Sequence, residues 1–144
     1  MTKVVSGVLI LRGAKSTAWT SDYDTQLTNW TNTYINWLQT SPLALAEKAA
    51  VKYANTPFHS LCLLNFFGSN HGSYYYNQLS SLHILVGDNA GAKQILQEYF
   101  QGIYLNQIDA NGEQPFEAIR TRPYHYRSYN LAAMIVSFVV ICHS

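Results

Sequence analysis

Between residues 22 and 40, large apolar side chains recur at the spacing of an α-helix. The segment reads DYDTQLTNWTNTYINWLQT, and the steps between these side chains are four, three, four, three and one. The side chains are those of Tyr23, Leu27, Trp30, Tyr34, Trp37 and Leu38. Such spacing places them on one face of a helix. Ser21 is suited to cap its start, Asp22 and Asp24 suit the positive end of the helix dipole, and Pro42 ends it.

The rest of the chain is also predicted to be helical. We expect helices over about 43–52, 75–86 and 128–140, with Gly87 as a cap at the end of the second. A further helix begins at Asp88 and places four apolar residues on one face, namely Ile95, Leu96, Tyr99 and Ile103. No segment alternates apolar and polar residues over six or more positions. The sequence therefore predicts an all-α chain of helical hairpins, and its 144 residues suffice for one domain.

Composition excludes several classes of partner. Charged residues make up 12% of the sequence and the net charge is +1, so no binding surface for nucleic acid or an anionic membrane is predicted. The longest apolar run, residues 131–142, is too short to span a bilayer. The N-terminal VVSGVLIL is short and no small-residue cleavage site follows, so we find no convincing signal peptide. Cys62 and Cys142 form neither a metal-binding spacing nor a disulfide framework.

Two clusters of polar and aromatic residues carry the candidate chemistry. The first is SNHGSYYYNQ, residues 69–78, and the second is QPFEAIRTRPYHYRSYNL, residues 114–131. A lone His is more often a hydrogen-bonded structural group than a catalyst, and an Arg near a Tyr usually packs or stacks. Asn-His in one cluster and Arg-x-Arg-x-x-x-Tyr in the other, taken together, favour a functional site. Tyr and Trp suit sugar rings as well as cores.

The two clusters resemble the signatures of the alginate lyase family of polysaccharide lyases. SNHGSYYYNQ resembles the family's Asn-Asn-His-Gly-x-Trp-Tyr-Asp-x-Gln segment. DANGEQPFEAIRTRPYHYRSYNL resembles its second signature, Asp-Gly-x-Gln-Pro-x-Glu-Leu-x-Arg-Thr-x-x-x-x-Tyr, and WLQTSP matches a Trp-Leu-x-Thr-Ser-Pro ending. The resemblance covers residues 19–47 and 69–133, in the family's order. We interpret residues 1–144 as a single partial domain of this family, with 48–68 as an insertion.

The resemblance implies an incomplete α/α toroid, or α/α barrel, of antiparallel helical hairpins around a cleft for an acidic polysaccharide. It implies β-elimination at a 4-linked uronate, with no metal and no organic cofactor. Position by position, it implies a catalytic set of Asn70, His71 and Tyr126. The Arg that neutralises the substrate carboxylate falls on Arg120 or Arg122, and the motif leaves this choice open. Residues implied to bind substrate are Tyr74, Tyr75, Gln78 and Gln114.

Some positions depart from the family pattern. Ser69 replaces an Asn, and Tyr74 replaces a Trp and keeps a stacking face. Tyr76 replaces an Asp whose carboxylate could orient the histidine or a backbone turn. Family members run to several hundred residues. A partial toroid leaves apolar helix faces uncovered, so we expect self-association through these faces and weak or absent activity.

The sequence is compatible with three functions. The first is a polysaccharide lyase that cleaves an alginate-like polyuronate. The second is a non-catalytic carbohydrate-binding relic, and the third is a structural helical module whose Tyr and Trp residues lie in the core. An extracellular location follows from the family resemblance alone. The preferred uronate, and endo or exo cleavage, are not determined by the sequence.

Overall fold

The computed structural model describes residues 2–49 and 69–143, and over these ranges it contains helices and no strand. The α-helices are α1 (Thr2–Gly13), α2 (Ser21–Thr40), α3 (Pro42–Lys48), α4 (Asn70–Leu85), α5 (Asn89–Gln101), α6 (Pro115–Ala118) and α7 (Pro123–His143). A 3₁₀-helix, Ile103–Asn106, follows α5. The prediction of an all-α chain is confirmed. The interpretation of residues 48–68 as an insertion falls, beyond Ala49, outside the described residues.

Helix α4 lies at the centre of the fold and packs against α1, α2, α3, α5 and α7. It runs antiparallel to α2, because Tyr75 donates to the Leu38 carbonyl while the later Gln78 donates to the earlier Tyr34 hydroxyl. It runs parallel to α7, because Ser73 bonds Asn130 and Asn77 bonds the Ala133 carbonyl. The core consists mainly of residues from this helix and its neighbours, including Leu79, Leu82, Leu85, Ile95 and Tyr99.

A tight turn joins α4 to α5 as an antiparallel hairpin. Gly87 has a φ of 81°, a left-handed conformation that glycine adopts without steric cost. The Gly87 N–H donates to the Ile84 carbonyl and the Asp88 N–H to the His83 carbonyl, which is the Schellman arrangement. The Asp88 side chain then accepts from the Gly91 N–H and caps α5. The predicted roles of Gly87 and Asp88 at this turn are confirmed.

Several predicted helix boundaries are wrong. Helix α2 is capped by Thr20, whose side chain accepts from the Tyr23 N–H, and not by Ser21. Helix α3 ends at Lys48 with Ala49 as its C-cap, and the predicted helix beyond Ala49 lies outside the described residues. Helix α7 begins at Pro123 instead of Ser128. Proline is favoured in the first turn of a helix because its missing N–H would have no intrahelical partner there. Helix α4 begins at Asn70, five residues before the predicted start.

The aromatic stripe of α2 does not form the core. The residues that α2 buries are Thr31, Ile35 and Leu38, whereas Trp30 and Trp37 are 45% and 44% exposed. The rings of Trp30, Tyr34 and Trp37 stack on one another along the helix, with centroids 5.0 and 5.7 Å apart. The stripe therefore forms a surface beside the core.

Helix α1 covers one side of α4, with Val5 and Val8 buried. Arg12 near its end forms an ion pair with Asp24 at 2.6 Å, and its guanidinium also donates to the Leu85 carbonyl at 2.6 Å. Hydrogen bonds from Trp19 and Arg12 hold the pKa of the Asp24 carboxyl below its usual range. Over the described residues, no helix combines the length and apolarity needed to cross a bilayer.

Alkaline pH should destabilise this fold through Tyr99. Burial raises the pKa of Tyr99 from 10.0 to about 12. Because the folded state binds this proton more tightly, stability is unaffected below pH 10 and falls between about pH 10 and 12. The unfolding constant should rise about tenfold per pH unit for each such tyrosine. Urea unfolding at several pH values across this range measures how steeply the free energy of unfolding falls with pH. Tyr99→Phe should make this fall less steep, and an unchanged dependence on pH would contradict the assignment to Tyr99.

Candidate active site

The first polar cluster lines a cleft of about 320 Å³ that lies between α2, α3, α4 and α7. Five of the residues predicted from the sequence lie in its wall: Asn70, His71, Tyr74, Tyr75 and Gln78. The wall also contains Tyr34 and Trp37 from α2, Glu47 from α3 and Tyr129 from α7. Asn70 and His71 are the first two residues of α4, so the start of that helix opens into the cleft.

Asn70 is held by Glu117, which belongs to the second cluster. The Asn70 backbone N–H donates to Glu117 Oε1 at 2.7 Å, and Asn70 Nδ2 donates to Oε2 at 2.9 Å. Both residues are buried, with exposures of 3% and 1%. Ser69 makes no side-chain cap, so the Glu117 carboxylate takes the place of a cap for α4. Within the described residues, the second Nδ2 hydrogen and Oδ1 of Asn70 have no partner, so they are available to a ligand.

His71 is half-buried, and its Nδ1 lies 2.6 Å from Glu47 Oε2. Tyr76, which stands where the family has an Asp, turns to the other side of α4 and donates its hydroxyl to Glu98 at 2.8 Å. Burial and this carboxylate raise the pKa of Tyr76. The histidine is therefore paired with a carboxylate from α3 instead of one from its own helix.

Aromatic rings form two walls of the cleft. Tyr74 stacks on Tyr129 with centroids 4.4 Å apart and donates its hydroxyl to the Tyr129 carbonyl at 3.2 Å. Burial and the neighbouring Tyr129 raise the pKa of Tyr74 to about 12, so its hydroxyl keeps its proton at neutral pH. On the facing wall, Gln78 Nε2 donates to the Tyr34 hydroxyl at 2.9 Å.

The second cluster forms the start of α7 and the segment before it. The Arg120 guanidinium lies 4.1 Å from the centre of the Tyr126 ring, whereas Arg122 is exposed. Tyr126 contacts the His125 ring, and His125 stacks with Tyr129, with centroids 5.5 and 6.0 Å apart. Arg120 and Tyr126 are not among the residues that line the cleft, but this chain of rings connects them to its wall. Their predicted catalytic roles stay predictions.

Gln114 lies behind the cleft in a buried polar network. Its Oε1 accepts from Asn130 at 3.0 Å and its Nε2 donates to the Arg127 carbonyl at 3.3 Å. Asn130 in turn accepts from Ser73 at 2.8 Å. Gln114 is 7% exposed, and its amide is engaged on both sides. The structure thus shows it supporting α7, and its predicted contact with substrate stays a prediction.

Several residues of this site carry no role predicted from the sequence, namely Tyr34, Trp37, Glu47, Glu117 and Tyr129. Glu117 lies within the second family signature, the spacing around Glu47 gives no signal, and Tyr129 is one of several tyrosines in the second cluster. Each owes its position to contacts between distant segments. Among the side chains that the structure describes, those of residues 3–49 and 69–137, no three of His, Cys, Asp or Glu lie close enough together to hold a metal ion.

Comparisons with known proteins identify the family and the fold of the chain. The sequence profile of the family described as "Alginate lyase" matches residues 1–140. The structure is similar to the crystal structure of an alginate lyase from Bacteroides ovatus, with a TM-score of 0.80 and 25% sequence identity. The match covers 99% of this chain and 32% of the length of that lyase. No curated protein sequence gave a significant match. With the all-helical content, the structural match confirms the predicted fold, an incomplete α/α toroid.

Replacing Glu117 should destabilise the protein strongly. In Glu117→Ala the N–H groups of Asn70 lose a buried charged acceptor, which should cost about 3 kcal/mol of unfolding free energy. Glu113→Ala is a matched control, because it removes a carboxylate that pairs with Arg127 on a partly exposed surface and should cost far less, as solvent-exposed ion pairs do. Urea unfolding of both variants measures the difference. Equal losses would show that Glu117 has no special role in holding α4.

Proposed function

Because the chain belongs to the alginate lyase family, we propose that its cleft is the site of a polysaccharide lyase that acts on a 4-linked polyuronate. The observation that carries the proposal is the placement of Asn70 and His71 side by side in one aromatic-walled cleft. Each is held by a carboxylate from a distant segment. Such fixed orientation is what an acid–base reaction requires of its catalytic groups.

The proposed reaction is a β-elimination. A base removes the proton on C5 of the uronate, the electrons of that C–H bond form a double bond between C4 and C5, and the C4–O4 bond breaks. An acid protonates O4, which leaves as the hydroxyl of the neighbouring sugar. The C5 proton is weakly acidic because the adjacent carboxylate is negative, so that charge must be neutralised and the developing enolate stabilised.

Asn70 and an arginine are suited to the substrate carboxylate. Asn70 keeps one Nδ2 hydrogen after its bond to Glu117, and a guanidinium offers a fork of donors that matches two carboxylate oxygens. We assign the arginine to Arg120, since it contacts Tyr126 and is half-buried while Arg122 is exposed. A partly desolvated cation interacts more strongly with an anion than an exposed one does.

His71 and Tyr126 are the proposed base and acid. His71 removes the proton from the uronate epimer whose C5 hydrogen lies opposite O4, and Tyr126 protonates the leaving oxygen. In the other epimer, the C5 hydrogen and O4 lie on the same face of the sugar ring, so Tyr126 both removes the proton and protonates O4. The rings of Tyr34, Trp37, Tyr74 and Tyr129 provide apolar faces for the sugars on either side. A charged polymer does not pass freely through a membrane, so the proposal places the reaction outside the cell.

A second candidate is a carbohydrate-binding protein without catalysis. The observation in its favour is that aromatic rings line the cleft, whereas neither Arg120 nor Tyr126 is among its lining residues. Binding of polymannuronate or polyguluronate without formation of product would select this candidate.

Substitution of Tyr126 tests the acid. Elimination produces a double bond conjugated with the carboxylate, so cleavage is followed by ultraviolet absorbance with polymannuronate, polyguluronate and glucuronan. Tyr126→Phe should lower kcat about a thousandfold, within the range for a lost acid–base group. Tyr124→Phe is the matched control, because Tyr124 lies on the same helix and is 85% exposed. If Tyr129→Phe abolishes product and Tyr126→Phe does not, the acid is misassigned.

The choice between the two arginines is tested in the same assay. Arg120→Ala should lower kcat/KM by about a thousandfold, because the substrate carboxylate would lose a charged donor. Arg122→Ala should change it by less than about threefold, apart from a weak dependence on salt. The opposite order of the two effects would move the assignment to Arg122.

A further inference from the structure

We propose that Glu47 is a positioning residue that keeps the proton of His71 on Nδ1 and directs the Nε2 lone pair into the cleft. The proposal deepens the lyase function and rests on it for its effect on rate. Its structural part concerns only the two side chains. Glu47 lies on α3 and His71 on α4, and the two residues are 24 positions apart in the sequence.

The tautomer follows from the chemistry of the two groups. A carboxylate accepts hydrogen bonds and donates none, and its Oε2 lies 2.6 Å from His71 Nδ1. The bond therefore requires a hydrogen on Nδ1. A neutral imidazole carries a single N–H, so Nε2 holds a lone pair. Such second partners determine the tautomer and orientation of a histidine in many functional sites.

The position of the ring makes this tautomer useful. His71 and Glu47 both line the cleft, and His71 is half-buried. Within the described part of the chain, Nε2 has no hydrogen-bond partner. A base needs a free lone pair directed at the proton that it removes, and a fixed ring avoids the cost of orientation. With the opposite tautomer, Nε2 would present a hydrogen to the substrate.

A second histidine–carboxylate pair, at the turn between α4 and α5, supplies a matched control. His83 Nδ1 lies 2.8 Å from Asp88 Oδ2, so the chain contains another histidine with a carboxylate at the same ring nitrogen. Neither residue lines the cleft beside His71. Asp88 also caps α5, and Asn is as good a cap as Asp. Asp88→Asn therefore makes the same chemical change as Glu47→Gln away from the site.

The first measurement needs no activity. Long-range ¹H–¹⁵N NMR spectra of the full chain, labelled at histidine, report which ring nitrogen carries the proton, and His71→Gln assigns the signals. Wild-type His71 should be in the Nδ1–H form at neutral pH. In Glu47→Gln, the amide NH₂ can donate to Nδ1, so the Nε2–H form should become populated. A wild-type His71 with its proton on Nε2 would overturn the proposal, as would an unchanged tautomer in Glu47→Gln.

The second measurement is kinetic. Glu47→Gln should lower kcat on the responsive polymer about a hundredfold, a typical loss for a displaced general base, and change KM less than about threefold. Asp88→Asn should leave both unchanged. Equal losses in the two variants, or an unchanged kcat in Glu47→Gln, would refute the role in catalysis. If wild-type protein forms no product with any polymer, the proposed lyase function fails, and the NMR result still decides the role of Glu47.

Discussion

The fold and the cleft both depend on the hydrogen bonds that Glu117 accepts from Asn70. The carboxylate lies 47 positions away in the sequence, yet it receives both the first N–H of α4 and the side-chain amide beside it. A buried carboxylate is costly unless such donors surround it, and buried N–H groups are costly without an acceptor. The two groups therefore stabilise each other, and together they place the start of the central helix at the cleft.

A network of hydrogen bonds between neutral polar groups also fixes the position of α4, farther along the helix and inside the core. Ser73 and Asn77 on α4 bond Asn130 and the Ala133 carbonyl on α7, and Tyr99 donates to Gln107 at 2.9 Å. Since hydrogen bonds depend on direction as well as distance, a buried amide network permits fewer registers between helices than apolar packing does. The network sets the register of α7 against α4. This register determines that Tyr129 lies beside Tyr74, on which it stacks.

The side of α4 that faces away from this network lines the cleft. Helices α2 and α3 bring aromatic rings and one carboxylate to it, so that the cleft combines apolar ring faces with a His71 paired to Glu47. The chain has only 12% charged residues, yet this division brings Glu47, His71 and the Asn70 amide to one cleft. At the start of α4, Asn70 and His71 are each held by a carboxylate from another segment.

The sequence by itself determined the helical class, the turn at Gly87 and Asp88, and the residues that form the two clusters. These depend on local backbone preferences and on side-chain spacing, which neighbouring residues decide. The tertiary structure alone decided that α4 begins at Asn70, that Trp30 and Trp37 of α2 remain exposed, and that Glu47 is the partner of His71. Each of these depends on groups far apart in the chain, and no local pattern records which carboxylate will fold against which donor.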